Sequence, residues 1–242
     1  MKKRLVGALI AALGVGAAAS VQAAPLSSLL EEGGSVSAGD KLFSDWVVSS
    51  EGRTFDYSQI EITALQEESQ DYSLDFDLGD QFVVSLGDNS TNNDAPINFT
   101  FGFSISVLGQ GMRTSGAMLE LGGASVGWSD GAGPKDAGSS VVERIGSEQG
   151  SANLVDAMRV EYSFLDAAER AIDDDSARFA PTSVIWVEKN IRVWAGASGE
   201  SAALYGFTQR FSQTSVPEPA SLALLGIGLF GLAAARRRGR VA

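Results

Sequence analysis

The chain has 242 residues, 18 basic and 30 acidic side chains, a net charge of −12, and neither histidine nor cysteine. It therefore cannot form a Ser-His-Asp or Cys-His catalytic site, a typical zinc site or a disulfide. All 30 acidic residues but only 11 basic ones lie between residues 24 and 219, so this middle part carries −19. A surface this acidic repels nucleic acid and anionic lipid, and we expect no nucleic-acid partner.

The N-terminus has the three parts of a signal peptide. Lys2, Lys3 and Arg4 precede an apolar run over residues 5–19, and Val21-Gln22-Ala23 provides a small-x-small cleavage pattern. We predict that residues 1–23 are a signal peptide, that signal peptidase cleaves after Ala23, and that the rest is exported through the inner membrane.

Period-two alternation predicts most of the exported chain to be β-strand. The clearest strand is Ile97–Val107, in which Phe99, Phe101, Phe103 and Ile105 are predicted to be buried together. Tyr72–Leu78 alternates in the same way, and Gly79-Asp80 followed by Gln81–Leu86 predicts a tight hairpin. Further alternating or β-branched runs lie at 160–164, 182–187, 191–194 and 205–211.

These strands predict an all-β protein, an antiparallel β-sandwich of jelly-roll type over residues 24–211. The candidate for helix is 165–177, interpreted as a short surface turn or helix within a loop, although Asp173-Asp174-Asp175 opposes the helix dipole. Residues 212–216 are predicted to be a linker to the C-terminal tail.

The C-terminal tail, residues 217–240, has three consecutive features. Pro217-Glu218-Pro219 is predicted to stay extended because proline fixes φ and lacks an N–H group. Residues 220–235 carry no charge and, as a transmembrane helix, span about 24 Å of a hydrocarbon core of about 30 Å. The cluster Arg236, Arg237 and Arg238 favours a cytoplasmic C-terminus, which places the rest of the chain outside.

In this order and spacing the tail resembles the PEP-CTERM sorting signal of bacterial envelope proteins. The resemblance implies that an exosortase, a membrane-embedded cysteine transpeptidase, recognises the tail while it lies transiently in the inner membrane and cleaves near Pro219. It further implies a location at the cell surface or in the extracellular matrix. The alternative is an ordinary membrane anchor that is not cleaved.

A second resemblance begins near the mature N-terminus. Residues 33–46, with Gly39-Asp40-Lys41 followed by Phe43-Ser44, resemble the opening segment of an uncharacterised group of PEP-CTERM proteins. Residues 187–191 and 207–211 resemble later strands of that group, which implies no known activity. Physically, Gly39-Asp40 predicts a turn that presents Lys41, followed by a first core strand.

Candidate binding residues are carboxylates and tryptophans. Asp75 and Asp77 share one outward face beside Asp80, which is typical of a solvated strand and open to a calcium site or a glycosidase-like pair. The loops 88–94 and 173–175 are rich in oxygen ligands without EF-hand spacing, so calcium is a possible but not an expected cofactor. The tryptophans at 128, 186 and 194 are either core residues or a sugar-stacking platform.

Three classes of function are consistent with the sequence. The preferred one is a non-enzymatic structural or adhesive surface component, with extracellular polysaccharide as a further partner. The alternatives are a carbohydrate- or calcium-binding module and a carboxylate-dependent polysaccharide hydrolase.

Overall fold

The structure, a computed structural model, describes residues 22–50, 53–66, 71–87, 95–109, 111–129, 133–151 and 153–216. Within these ranges almost all of the regular structure is strand, with one helical turn, α1 (Leu26–Leu29), and a 3₁₀ turn at Tyr57–Gln59. The strands are β1 Gln22–Pro25, β2 Val36–Ala38, β3 Lys41–Ser50, β4 Glu61–Gln66, β5 Tyr72–Asp77, β6 Val83–Ser85, β7 Ile97–Val107, β8 Met112–Trp128, β9 Asp136–Gly146, β10 Met158–Leu165, β11 Ala168–Ile172, β12 Asp174–Thr182, β13 Val184–Ala195 and β14 Glu200–Ser215.

These strands form two antiparallel sheets that pack as a sandwich. Sheet A has the order β1-β4-β5-β14-β8-β12, with β6 also paired to β14. Sheet B has the order β11-β10-β9-β13-β7-β3-β2. The predicted all-β sandwich is therefore confirmed.

The core lies between the sheets and is built from the alternating residues of each strand. β7 has the predicted limits, and Phe99, Phe101, Phe103 and Ile105 are all buried on its inner face. Phe101 reaches across to Phe76 of sheet A, with ring centroids 5.4 Å apart. A fully buried side chain of this size contributes about 1.5–3 kcal/mol, so the register of β7 is strongly specified.

The predicted hairpin at Gly79-Asp80 is wrong. Both β5 and β6 pair antiparallel with β14, along successive parts of the same strand, so they run in one direction. Gly79, with φ of +57°, turns the chain only enough to pass from one segment to the next. A Gly-Asp pair between two apolar runs does not show whether the chain reverses its direction there, as in a hairpin, or continues in the same direction after a break between two strands.

The predicted helix at 165–177 is absent, since within this segment only Asp166 and Ala167 form a turn and most of the remaining residues are extended. Asp166 and Ala167 both have positive φ and form the two-residue turn of a β10–β11 hairpin. The chain then leaves sheet B, and β12 pairs with β8 at the edge of sheet A. Alanine favours helix in isolation, but pairing with these sheet edges overrides that preference.

The strands extend beyond the predicted domain limits at both ends. β1 begins at Gln22, ahead of residue 24, and pairs with β4. The predicted linker at 212–216 is mostly strand, because β14 continues to Ser215 and pairs with β8 as far as Met112. Val216 is still held, since its N–H group donates to the carbonyl of Gly111 at 2.7 Å.

Candidate functional site

The residues predicted for sorting lie mostly outside the described part of the chain. This applies to Pro217, Glu218 and Pro219, to 220–235, to Arg236, Arg237 and Arg238, and to the signal segment before residue 22. Within the described ranges, the structure has no helix that is long and apolar enough to cross a membrane. What the structure adds is the position of the motif, which follows strand β14 after a single residue.

Ala23, the predicted signal-peptidase position, lies in β1 opposite Thr63 of β4. Cleavage after Ala23 stays a prediction. It would leave Ala24 and Pro25 paired with β4, and the N–H group of Leu26 would still donate to Ile60 at 2.8 Å. Cleavage would remove the pairs of Gln22 and Ala23 with β4 and the hydrogen bonds from Ser37 to Oε1 of Gln22, so it would shorten this sheet edge by two residues.

The carboxylates of β5 are used locally. Asp75 points away from the core and accepts a hydrogen bond from Oγ1 of Thr208 at 2.8 Å, while Asp77 accepts from the N–H group of Gly79 at 3.0 Å. Asp80 is exposed in the turn that follows. These contacts hold neighbouring strands and a turn, and Glu61 of β4 lies opposite Asp77 in the register.

Of the two calcium candidates, the loop 88–94 lies outside the described residues and stays a prediction. In the other one, Asp175 is on β12 and accepts the backbone N–H of Arg159 at 2.9 Å, so it joins β12 to β10 across the two sheets. No group of three or more acidic side chains in the described ranges is arranged to hold a metal ion.

The three tryptophans do not form one platform. Trp186 and Trp194 share the outer face of sheet B but are eight positions apart on β13, or about 26 Å. Trp186 is only 7% exposed and lies against Gly102, and Trp194 donates to Oδ1 of Asp136 at 2.8 Å. Trp128 belongs to sheet A and packs against Phe164.

The most unusual site of the molecule is a buried polar cluster that sequence reasoning missed. Lys189 of β13, Glu143 of β9 and Gln209 of β14 meet between the sheets, and all three are fully buried. The signal for it was present in the sequence. Each of these residues takes the place of an apolar one in an alternating run, as in Val187–Lys189–Ile191 and Phe207–Gln209–Phe211. Reading these runs only as strands left the three polar positions unexplained.

The ammonium group of Lys189 connects the other two side chains of the cluster. Nζ of Lys189 donates to Oε2 of Glu143 and, at 2.5 Å, to Oε1 of Gln209. The same nitrogen lies 5.2 Å from the ring centre of Phe207 and 5.9 Å from that of Phe76. Among the described residues, Oε1 of Glu143 has no hydrogen-bond partner.

Burial sets the protonation behaviour of this cluster. It lowers the pKa of Lys189 below 10.5, and it raises the pKa of Glu143 above 4.5, although the charge of each partner opposes the shift. Removing a charge pair from water costs several kcal/mol per ion, so well-packed apolar side chains of similar volume often stabilise a core as much or more. The cluster is therefore a candidate for a chemical role.

Lys41 forms a second cluster near the edge of the sandwich. Sequence reasoning predicted that the turn presents this residue, which is wrong, because Lys41 is fully buried. Its Nζ donates to Asp40 at 2.7 Å and to Gln213, and lies 4.5 Å from the ring centre of Tyr72. Asp40 is partly exposed, so water reaches this cluster.

Comparisons with solved structures find distant similarity only. A structure described as TmCBM61 in complex with beta-1,4-galactotriose is similar over 69% of this chain and 88% of its own, with 11% identity and a TM-score of 0.28. A structure described as "CBM4 structure and function" is similar over 70% of this chain and 86% of its own, with 9% identity and a TM-score of 0.24. A bacteriophage CBA120 tailspike protein matches over 68% of this chain and 19% of its own, with 13% identity and a TM-score of 0.25. At these values the likeness carries no inference about ligands.

The family comparison identifies the C-terminal tail. The model of the PEP-CTERM protein-sorting motif matches residues 215–238. The tail thus carries a PEP-CTERM sorting motif, and the motif implies export, processing by an exosortase and a cell-surface or extracellular location. A comparison with curated proteins gives no significant match.

Proposed function

We propose that this protein is a structural or adhesive component of the cell surface or extracellular matrix, delivered there by exosortase processing. The observation that carries the proposal is the sorting motif at residues 215–238, placed directly behind a folded β-sandwich. A signal peptide removed after Ala23 and cleavage near Pro219 release the sandwich on the outer side of the inner membrane.

A non-enzymatic role agrees with the residue chemistry. The chain has no histidine or cysteine, and the carboxylates singled out on β5 are bonded to their own strand neighbours and turns. Trp186 is largely buried and Trp194 is bonded to an aspartate, so neither favours sugar stacking, whereas Trp128 is 48% exposed and stands alone on sheet A. Extracellular polysaccharide remains the partner that we expect for an adhesive surface protein.

The sorting motif is tested by substitution in the native host. Glu218→Ala and Pro219→Ala are each expected to retain the protein in the inner-membrane fraction without unfolding the sandwich, because both residues follow the last strand. Glu148→Ala, an exposed change within the sandwich, is the control and is expected to leave delivery unchanged. Normal surface delivery of both motif variants would contradict the proposed role of the motif.

A further inference from the structure

The cluster of Lys189, Glu143 and Gln209 places a nucleophile, a proton carrier and an electrophile in contact. The amine of Lys189 is the nucleophile, and the side-chain carboxamide of Gln209 is the electrophile, with Nζ 2.5 Å from Oε1. The carboxyl group of Glu143 accepts a hydrogen bond from the amine through Oε2, and its Oε1 has no hydrogen-bond partner among the described residues. The three side chains come from three strands and both sheets, so the fold itself assembles this arrangement.

We propose that Lys189 and Gln209 become covalently joined by an amide bond that forms within the folded protein. Nζ of Lys189 attacks the side-chain carbonyl carbon of Gln209, and the bond from that carbon to Nε2 breaks. Glu143 accepts a proton from the attacking amine and delivers a proton to the departing nitrogen. One ammonia molecule is released, and the amide and this ammonia account for all atoms of the two side chains. The reaction requires no oxidant, metal or external enzyme.

The surroundings favour each part of this reaction. An amine attacks only when it is neutral, and burial lowers the pKa of Lys189 in that direction. A carboxyl group can give a proton only when it holds one, and burial raises the pKa of Glu143. The rings of Phe76 and Phe207 cover the amine, which limits competing hydrolysis by water. Fixed proximity of the reacting groups replaces the entropy cost of bringing them together.

The bond has a clear structural consequence. Lys189 is on β13 of sheet B and Gln209 is on β14 of sheet A, so the amide would join the two layers through the core. The chain has no cysteine, and this cross-link would restrict the unfolded state as a disulfide does. It also accounts for a buried charge pair that otherwise weakens the fold, because forming the amide removes the lysine charge.

The Lys41 cluster provides an internal comparison. It also contains a buried lysine, a carboxylate and a glutamine, with Nζ of Lys41 bonded to Asp40 and Gln213. Here the carboxylate is partly exposed to water, so the amine keeps a solvated counter-ion. We therefore expect no amide bond between Lys41 and Gln213.

The test is high-resolution mass spectrometry of the intact mature protein, isolated from its native host. Both ends are sequenced, so that the mass expected for the processed chain is known. The expected mass is lower than that of the processed sequence by one ammonia molecule, and digestion is expected to give a branched peptide that joins Lys189 to Gln209. Lys189→Met and Gln209→Leu are expected to lose the deficit, while Lys41→Met keeps it. Glu143→Gln is expected to lose it as well, with circular dichroism as the check that the variant is folded.

Several results would overturn the proposal. An unshifted mass of the native protein would mean that the cluster is a non-covalent ion pair. A deficit of one water molecule would assign the bond to Lys189 and Glu143 instead. A branched peptide that contains Lys41 would place the reaction in the other cluster, and a deficit retained in folded Glu143→Gln would remove the role of that carboxyl group.

Discussion

Glu200 joins two loops of the sandwich and gives the most quantitative prediction. It is 3% exposed, and its carboxylate accepts backbone N–H groups from Lys135 at 2.5 Å, Asp136 at 3.4 Å, Gly196 at 3.1 Å and Ala197 at 2.9 Å. Burial alone would raise the pKa of Glu200, but these four donors hold it below 4.5. The ionised form is therefore built into the fold.

Glu200→Gln replaces one accepting oxygen by an amide nitrogen that can only donate. Two of the four N–H groups then lose their acceptor, and each unsatisfied buried group costs about 1–3 kcal/mol. We expect the free energy of unfolding at neutral pH to fall by about 2–6 kcal/mol. For a domain of this size the midpoint of thermal unfolding then falls by roughly 4–24 °C.

The pH dependence of this difference follows from the lowered pKa of Glu200. Its stabilisation is fully present above 4.5, the unfolded-state value, and is lost as the pH falls through the lower folded pKa. The measurement is thermal unfolding of residues 24–216 at pH 7 and at about pH 3. The control is Glu188→Gln, whose exposed pair with Arg144 at 3.6 Å is worth about 0–1 kcal/mol. The reasoning is refuted if Glu200→Gln costs no more than the control at pH 7, or if its deficit does not shrink between pH 7 and pH 3.

Two further predictions concern packing and metal binding. Gly138→Ala places a Cβ atom 2.2 Å from Cβ of Ser163, and we expect it to lower the free energy of unfolding by about 1–3 kcal/mol. The control Gly87→Ala meets nothing within 4 Å and is expected to change the free energy of unfolding by less than about 0.5 kcal/mol. Equal unfolding midpoints for the two variants would contradict this. Because the −19 charge of residues 24–219 is dispersed, added millimolar calcium at fixed ionic strength is expected to give no saturable rise in the unfolding midpoint. A saturable rise that disappears in Asp88→Asn/Asp94→Asn would instead favour a calcium-binding module.

The parts of the fold that sequence predicted well depend on local side-chain alternation. β7 has the predicted limits because six apolar residues alternate with polar ones, and a shift of one residue would expose the whole row. The pairing of strands depends on contacts that are distant in sequence. The partner of both β5 and β6 is β14, more than a hundred residues later, so a local rule at Gly79 could not exclude a hairpin.

The buried clusters show a different limit of sequence reasoning. The exposure of Lys41 was predicted from the Gly39-Asp40 turn, and no role was predicted for Lys189. Lysine is almost never fully buried without a partner. The partners of these two lysines, such as Glu143 and Gln209, come from other strands, and only the register of the sheets brings them together. The sorting motif was recognisable because its features are consecutive in the sequence and need no tertiary contact.

The most direct test of the account is mass spectrometry of the two ends of the protein recovered from the cell surface of its native host. The account predicts an N-terminus at Ala24 and a C-terminus near Pro219, without the cluster from Arg236 to Arg238. An intact C-terminus that still carries these arginines on the surface-exposed protein would contradict sorting by an exosortase and would leave an ordinary membrane anchor.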